Sequence, residues 1–258
     1  MADYNYFDGK KRIEDIIKSQ NETQRSDTIP DSNSSAFTFD NGYYGYVTAI
    51  FVDIVNSTEL FNDSSIKRTT RAKIIRSFTS EVIEILNGYE YLRDIGIRGD
   101  CVYAIYTSPS YHIDYEIFDR AAYINTFSKM LNGILKKNNM RTIKFGIGIA
   151  TGNELVVKAG RKGANINDLV WIGKAVTYAS HFSNYANRNS NCPIIVSQDF
   201  YDNLAKAIEK DNPSETKLDW FRDFSFTSNG HTYRGKQCDV IKSSMNNWVE
   251  NGMKDNDE

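Results

Sequence analysis

A run of β-branched and aromatic residues that ends in a carboxylate constrains the fold of this chain most. Residues 46–55 read Tyr-Val-Thr-Ala-Ile-Phe-Val-Asp-Ile-Val, and such a nearly continuous apolar run is typical of a central strand that is covered on both faces. The small polar residues Asn56, Ser57 and Thr58 follow at once, which predicts a tight turn before a helix. The pattern therefore predicts a buried strand that places Asp53 at one end of a sheet.

The same stretch suits the binding of a metal-bound polyphosphate. Asp53 offers a hard oxygen ligand to Mg²⁺, and the free backbone N–H groups of the turn and the helix start can hold phosphate oxygens. A second acid, Asp100, stands in the segment Arg-Gly-Asp-Cys-Val-Tyr. Each part also has an ordinary interpretation, with Asp53 as a helix N-cap, Asp100 as a turn residue and residues 56–58 as a capped turn.

Composition limits the classes of function. The 258 residues hold one large domain or two small ones, and a hydrophobic content of 40% is enough for a sizeable core. The net charge of −2 predicts neither nucleic acid nor an anionic membrane as a partner, and no apolar run reaches the ~18 residues of a spanning helix. The widely spaced Cys101, Cys192 and Cys238 indicate reduced thiols of a cytoplasmic protein.

Apolar periodicity and turn residues predict the order of the elements. Helices are predicted over residues 66–86, 117–135, 173–186 and 198–208. Strands are predicted over residues 46–55, 89–97, 101–107, 142–151, 155–159, 194–197, 221–226 and 233–241. This order predicts an α+β fold with a ferredoxin-like split βαβ core, βαββαβ, and a C-terminal αβ extension.

Three segments are predicted along the chain. Residues 1–43 read as a short helix followed by a flexible arm that is rich in Ser, Asn, Asp and Gly. The folded domain is predicted over residues 44–245. Residues 246–258 are predicted to be a C-terminal tail, of which residues 251–258 form a frayed, acidic end.

Four segments in this order resemble the motifs of the class III nucleotidyl cyclase catalytic domain, the family of adenylate and guanylate cyclases. They are Phe51–Thr58, Gly99–Ala104, Phe145–Gly152 and Trp171–Ser180. Each motif alone is weak, but four with this order and spacing are a strong signal. The resemblance covers most of the predicted domain, and it implies the α+β fold of that family.

The resemblance also implies a two-metal site. Asp53, Asp100 and the backbone carbonyl of Ile54 would hold two Mg²⁺ or Mn²⁺ ions. One ion would lower the pKa of the ribose 3′-hydroxyl, and the other would neutralise the triphosphate and the leaving pyrophosphate, as in two-metal phosphoryl transfer. The backbone of Asn56, Ser57 and Thr58 would contact the β- and γ-phosphates.

Two basic segments resemble the phosphate contacts of the family. Arg161 stands in Gly-Arg-Lys-Gly, and Arg234 stands in Tyr-Arg-Gly-Lys. The fork of an arginine side chain suits a polyphosphate. The alternative for Arg161 is a solvated loop charge, and the alternative for Arg234 is an ordinary charge at a hairpin end.

The chain departs from the family at the positions that read a purine base. Gly96 and Val170 stand where purine cyclases have Lys or Glu and Asp or Cys, so neither offers a side-chain hydrogen bond. Trp171 is expected to help close this base pocket. Thr177 stands in place of the usual asparagine and could bond a ribose oxygen.

The usual transition-state arginine is also replaced. His181 stands at its position, where it supplies charge only when it is protonated. Arg98 or Arg188 could substitute for that arginine, and His181 could equally have no role.

These departures are compatible with two interpretations. The chain is either a degenerate, inactive nucleotide-binding or dimerisation module, or a cyclase for another base. The presence of Asp53, Asp100 and Arg161 favours the second interpretation. A small cyclase with altered base readers resembles the pyrimidine cyclases of bacterial Pycsar anti-phage systems. That resemblance implies UTP as the substrate, with CTP as the second candidate. The product, cyclic UMP or cyclic CMP, would act on a separate effector, and the enzyme would be a head-to-tail homodimer.

Two further alternatives stay within related enzymes. One is a purine cyclase that reads its base through backbone groups. The other is a domain like the diguanylate cyclases, whose Gly-Gly-[Asp/Glu]-Glu-Phe hairpin is replaced here by Arg-Gly-Asp-Cys.

Overall fold

A mixed sheet of nine strands forms the centre of the fold. The computed structural model describes residues 4–163, 166–211 and 218–254. The strands are β1 (Glu22–Arg25), β2 (Asn41–Ile54), β3 (Leu92–Arg98), β4 (Cys101–Thr107), β5 (Phe145–Arg161), β6 (Ile166–Gly173), β7 (Ile194–Ser197), β8 (Arg222–Ser228) and β9 (His231–Cys238). The helices are α1 (Tyr6–Lys18), α2 (Ser57–Asn62), α3 (Arg68–Leu86), α4 (Tyr111–Lys137), α5 (Lys174–Tyr185), α6 (Gln198–Asp211) and α7 (Ser243–Glu250).

The strand order is β3-β4-β2-β5-β7-β9-β8, with β1 beside β2 and β6 beside β5. The strands β2, β3, β4 and β5 pair antiparallel, which is the arrangement of a split βαβ core. The strand β7 joins β5 in parallel, and the hairpin of β8 and β9 follows. This topology confirms the predicted α+β fold with its C-terminal extension.

The two faces of β2 serve different layers. Ile50, Val52 and Ile54 are buried in a large apolar cluster with residues of α3 and α4. Because side chains alternate along a strand, Ala49, Phe51 and Asp53 point to the other face, where the alanines of α5 pack. The metal-site candidate Asp53 therefore lies on the α5 face of the sheet.

The glycines of β5 allow α5 to approach the sheet closely. A Cβ atom on Gly146 would lie 2.5 Å from the carbonyl oxygen of Ala186, and one on Gly148 would overlap the carbonyl oxygen of Ala179. The absence of side chains at these two positions therefore lets α5 and the residue after its end, Ala186, pack directly on the backbone of β5.

The N-terminal segment differs from the expected flexible arm. The strand β1 pairs in parallel with the start of β2, and Ile29 and Phe37 are buried. Asp31 accepts a hydrogen bond from Arg93 at 2.7 Å. Many polar residues of this segment form local turns, as in the hydrogen bond from the N–H of Thr38 to Asn41 Oδ1 at 2.8 Å. The sequence pattern therefore did not reveal that Ile29 and Phe37 hold the segment against the core. The limits of the domain stay a prediction.

Two further elements differ from the expectations. The strand β5 runs unbroken for 17 residues, and β6, which the sequence pattern did not indicate, pairs with its second half. The helix α7 occupies the start of the predicted tail, where the buried Asn246 accepts a hydrogen bond from Lys129 Nζ at 2.6 Å. No helix within the described ranges is long and apolar enough to cross a membrane.

Candidate active site

Asp53 and Asp100 come together at one end of the sheet. Asp53 lies opposite Cys101 in the β2–β4 ladder, and Asp100 stands in the adjoining β3–β4 turn, which Gly99 forms with a φ of 65°. Burial raises the pKa of Asp53 to about 6, and the negative charge of Asp100 adds to this rise. The structure therefore brings together the two carboxylates that the sequence analysis paired.

Arg188 is the cation of this cluster. Its Nη2 donates to Asp53 Oδ2 at 2.9 Å and to the carbonyl oxygen of Ile54 at 3.3 Å. This contact opposes the rise of the Asp53 pKa. The sequence suggested Arg188 only as a substitute for the transition-state arginine, whereas the structure places it on the predicted metal ligands.

The predicted phosphate turn begins beside these groups. Asn56 has a left-handed backbone with a φ of 56°, and α2 starts at Ser57. A cleft of about 460 Å³ opens here, lined by Asn56 and Arg188 and also by Arg141 and Lys144. Sequence reasoning missed Arg141 and Lys144. Both stand just before β5, whose first residue, Phe145, pairs with Ile54, so the pairing of these two strands could have indicated that they lie near the turn.

The oxygen groups of this end fit a divalent cation. Two neighbouring carboxylates and the Ile54 carbonyl are the hard ligands that Mg²⁺ and Mn²⁺ take. Burial, together with the negative charge of Asp100, raises the pKa of Asp53, and a bound cation would offset both effects by stabilising the charged carboxylate. Among the described residues there is no group of three or more His, Cys, Asp or Glu side chains that could hold a metal. Further ligands would have to come from substrate or water.

A second cleft holds most of the predicted base-pocket residues. It measures about 400 Å³ and is lined by Val170, Trp171 and Thr177 together with Phe51, Arg98, Tyr103, Ile105, Leu169, Val176, Ser180 and His181. Gly96 adjoins it behind Tyr103, since a Cβ atom on Gly96 would lie 2.8 Å from the Tyr103 ring. The tyrosine therefore fills the space that a longer side chain at position 96 would need.

Asp94 fixes the wall of this cleft. Its Oδ2 accepts hydrogen bonds from Trp171 Nε1 at 2.9 Å and from the Tyr103 hydroxyl at 3.4 Å, and burial raises its pKa. The guanidinium of Arg98 lies 5.6 Å from the centre of the Tyr103 ring. Sequence reasoning missed Asp94 and Tyr103, because their meeting depends on how β3, β4 and β6 come together.

The helix α5 presents Thr177 and His181 at the same cleft. Thr177 Oγ1 donates to the carbonyl oxygen of Gly173 at 2.8 Å, which leaves its lone pairs to accept a bond. The ring of His181 lies 4.8 Å from that of Tyr233. Thr177 belongs to the first half of α5 and His181 to its second half, whereas Arg188 follows the end of this helix.

Arg161 and Arg234 lie away from Asp53 within one chain. Arg161 stands 15 residues beyond Gly146, the partner of Asp53 in β5, which is roughly 50 Å along the strand at about 3.3 Å per residue. Arg234 is exposed on β9, and its neighbour Tyr233 packs towards α5, so Arg234 points to the opposite face. Their roles in phosphate binding stay predictions.

Comparison with protein families gives one match over most of the chain. The model described as the adenylate and guanylate cyclase catalytic domain matches residues 39–229. A protein of Treponema porcinum called uridylate cyclase is 45% identical in an alignment of 257 residues that covers 98% of this chain and 84% of that protein. A uridylate cyclase of Gulbenkiania mobilis is 30% identical in an alignment of 253 residues that covers 96% of each chain.

Solved structures share the fold. The adenylyl cyclase CyaB from P. aeruginosa superimposes with a TM-score of 0.62 at 18% identity, over 76% of this chain and 95% of that one. The guanylyl cyclase Cya2 gives a TM-score of 0.61 at 12% identity, over 78% of this chain and 95% of that one.

Proposed function

The chain belongs to the family of adenylate and guanylate cyclase catalytic domains, and we propose that it converts UTP to 3′,5′-cyclic UMP and pyrophosphate. The observation that carries the reaction type is the pair Asp53 and Asp100, which meet beside the Ile54 carbonyl. The choice of uracil rests on the two relatives called uridylate cyclases, and CTP is the second candidate.

Asp53, Asp100 and the carbonyl of Ile54 would hold two Mg²⁺ or Mn²⁺ ions. When bound, these ions acidify the ribose 3′-hydroxyl and neutralise charge on the triphosphate. Asp53, with a pKa of about 6, is largely ionised at neutral pH and is therefore ready to act as a ligand.

The chain's own groups position the triphosphate. The backbone of Asn56, Ser57 and Thr58 would hold phosphate oxygens at the start of α2. Arg161 would reach those phosphates from the second subunit of a dimer, since it does not lie near Asp53 in its own chain. Arg234 points to the sheet face opposite α5, so a dimer that pairs the α5 faces gives it no route to these phosphates.

A head-to-tail homodimer would complete the site. The carboxylates of Asp53 and Asp100 lie towards the end of α5, and the cleft of Thr177 lies towards its start. Both lie on the same face of the sheet. Two copies that pair these faces in opposite directions place each Asp53 opposite the Val170, Trp171 and Thr177 of the other copy. The base would enter that cleft, and Thr177 would accept a bond from the ribose.

The cleft favours a base that needs no side-chain partner at positions 96 and 170. Tyr103 lies against Gly96, and Val170 has no polar side-chain atom. A purine that is buried there with an unpaired polar edge loses about 1–3 kcal/mol. The smaller pyrimidine ring can sit closer to the metal pair, with Trp171 closing the cleft.

The product would act as a signal. The resemblance to the cyclases of Pycsar systems supports a role in anti-phage defence, with cyclic UMP passed to a separate effector protein.

Identification of the product tests the proposed reaction. Purified protein is incubated with each of the four nucleoside triphosphates and Mn²⁺ or Mg²⁺, and the products are identified by mass. We expect cyclic UMP, or second cyclic CMP, and no cyclic product when EDTA removes the metal. Cyclic AMP or cyclic GMP as the main product, or no cyclic nucleotide under any condition, would contradict the proposal.

A further inference from the structure

A guanidinium group occupies the oxygens at which a metal would bind. Arg188 Nη2 contacts Asp53 Oδ2 and the carbonyl oxygen of Ile54 at 2.9 and 3.3 Å. Its Nη1 donates to the carbonyl oxygens of Ser183 at 2.8 Å and Ala186 at 3.3 Å. Four acceptors therefore hold one side chain, of which only 20% is exposed.

The loop that carries Arg188 is shaped to aim this side chain. Asn187, Asn189 and Ser190 have φ values of 58°, 50° and 69°, a backbone region that residues other than glycine adopt rarely and that clusters at functional sites. Asn187 fixes the loop, because its Nδ2 donates to the carbonyl of Phe145 at 3.0 Å. The unusual backbone surrounds Arg188 on both sides.

Gly146 brings the anchors of Arg188 against Asp53. Gly146 pairs with Asp53 in the β2–β5 ladder, and a Cβ atom there would lie 2.5 Å from the Ala186 oxygen and 2.6 Å from the Ser183 oxygen. These are the two carbonyl groups that hold Nη1. Any larger residue at position 146 would therefore move Arg188 away from the carboxylate.

We propose that Arg188 and a divalent cation compete for Asp53 and the Ile54 carbonyl, so that the nucleotide-free enzyme keeps its metal site closed. This inference rests on the proposed function, because it takes these two groups as metal ligands. The triphosphate offers the displaced guanidinium a new partner, since phosphate oxygens are strong acceptors for an arginine fork. Metal alone therefore binds weakly, and metal with nucleotide binds well.

Binding of Mn²⁺ to nucleotide-free protein tests the competition. Free Mn²⁺ is measured by electron paramagnetic resonance during titration of the wild type, Arg188→Gln, Arg188→Lys and Arg141→Gln. We expect Arg188→Gln to lower the Kd for Mn²⁺ at least tenfold and Arg188→Lys, which keeps the charge but loses the fork, to lower it less.

Arg141→Gln is the matched control. Arg141 lines the same cleft but is held by Asp63 at 2.9 Å and Glu59 at 3.8 Å, so its loss should change the Kd less than twofold. An equal gain in both glutamine variants would show a general charge effect and overturn the proposal. So would an Arg188→Gln protein that binds Mn²⁺ no more tightly than the wild type.

A double variant separates this inference from the proposed function. Adding Asp53→Asn to Arg188→Gln should remove the gain in Mn²⁺ affinity, and a gain that survives would overturn the competition at Asp53. The production of cyclic UMP is measured independently on the wild type. If the wild type makes cyclic UMP while Arg188→Gln leaves the Kd unchanged, only the role of Arg188 fails. If no cyclic nucleotide forms, the proposed function fails, and the titration still reports on the contact.

Discussion

Asp53 is partly buried between one negative neighbour, Asp100, and one positive neighbour, Arg188. Burial and Asp100 raise its pKa to about 6, and the bond from Arg188 opposes the rise. Ionising this carboxylate therefore costs free energy that a bound cation would offset. This property suits a metal ligand at the end of a central strand.

Asp53→Asn or Asp100→Asn should abolish turnover while the fold is kept. Each change removes one charge from the proposed metal site, and loss of one ligand of a two-metal site costs several kcal/mol of transition-state stabilisation. Steady-state rates together with circular dichroism spectra check this expectation. Near wild-type rates in both variants would show that the metal site lies elsewhere.

Gly96→Ala should destabilise the fold by about 1–3 kcal/mol, as overpacking does in a well-packed core. The cause is the Tyr103 ring, 2.8 Å from the new Cβ atom. Urea unfolding of Gly96→Ala, Tyr103→Ala and the double variant checks the contact, because the double variant should cost less than the sum of the two single changes. Additive costs would rule out this clash.

The site was only partly predictable from the sequence. Asp53 and Asp100 were singled out from one strand and one hairpin turn, and such local patterns are visible in a single chain. The Ile54 carbonyl was implied only by the family resemblance. Arg188 and Asp94 are not visible in this way, since each acts through a contact between elements that are distant along the sequence.

At the scale of elements, periodicity identified most helices and strands but not those whose pattern is weak. The predicted helices correspond to α3, α4, α5 and α6. The strand β1 is exposed throughout and its polar sequence resembles a loop, and β6 became a strand only through pairing with the long β5. The arrangement of α5 also depends on Glu154, a buried acid that no sequence pattern indicated.

Glu154 caps the start of α5. Its Oε1 accepts from the N–H of Ala175 at 2.5 Å and of Val176 at 3.4 Å, and its Oε2 is buried with no hydrogen-bond partner among the described residues. Burial raises the pKa of Glu154 to about 7, against the two N–H bonds. The folded state therefore binds this proton more tightly than the unfolded chain does.

Glu154→Gln should flatten the pH dependence of stability. Because the folded pKa lies above the unfolded value, the wild type loses stability as the pH rises through the window from 4.5 to about 7. The stability of the wild type relative to the glutamine variant should fall by about 1–3 kcal/mol between pH 5 and pH 8. Urea unfolding at both pH values measures this, and a difference independent of pH would contradict the assigned ionisation.

At the scale of the whole molecule, the separation of Asp53 and Asp100 from the proposed base-binding cleft of Val170, Trp171 and Thr177 makes the proposed dimer testable. A dimer of one Asp53→Asn chain and one Thr177→Ala chain has both defects in one site and leaves the other intact. Equal random mixing makes about half of the dimers mixed, so about one quarter of the wild-type activity should return, as expected for a two-fold assembly. Arg161→Ala should complement Asp53→Asn in the same way.

Subunit exchange is verified with two distinguishable tags. Exchanged mixtures that stay inactive in every combination would count against a site shared between two chains.

The ratio of kcat/KM values tests the central claim most directly, with each nucleotide supplied alone to the wild-type enzyme. The unpaired polar edge of a buried purine costs about 1–3 kcal/mol, or one to two powers of ten in discrimination. We therefore expect kcat/KM for UTP to exceed the values for ATP and GTP at least tenfold, with CTP as the nearest competitor. A kcat/KM for ATP or GTP equal to or above that for UTP would contradict the account and make this chain a purine cyclase.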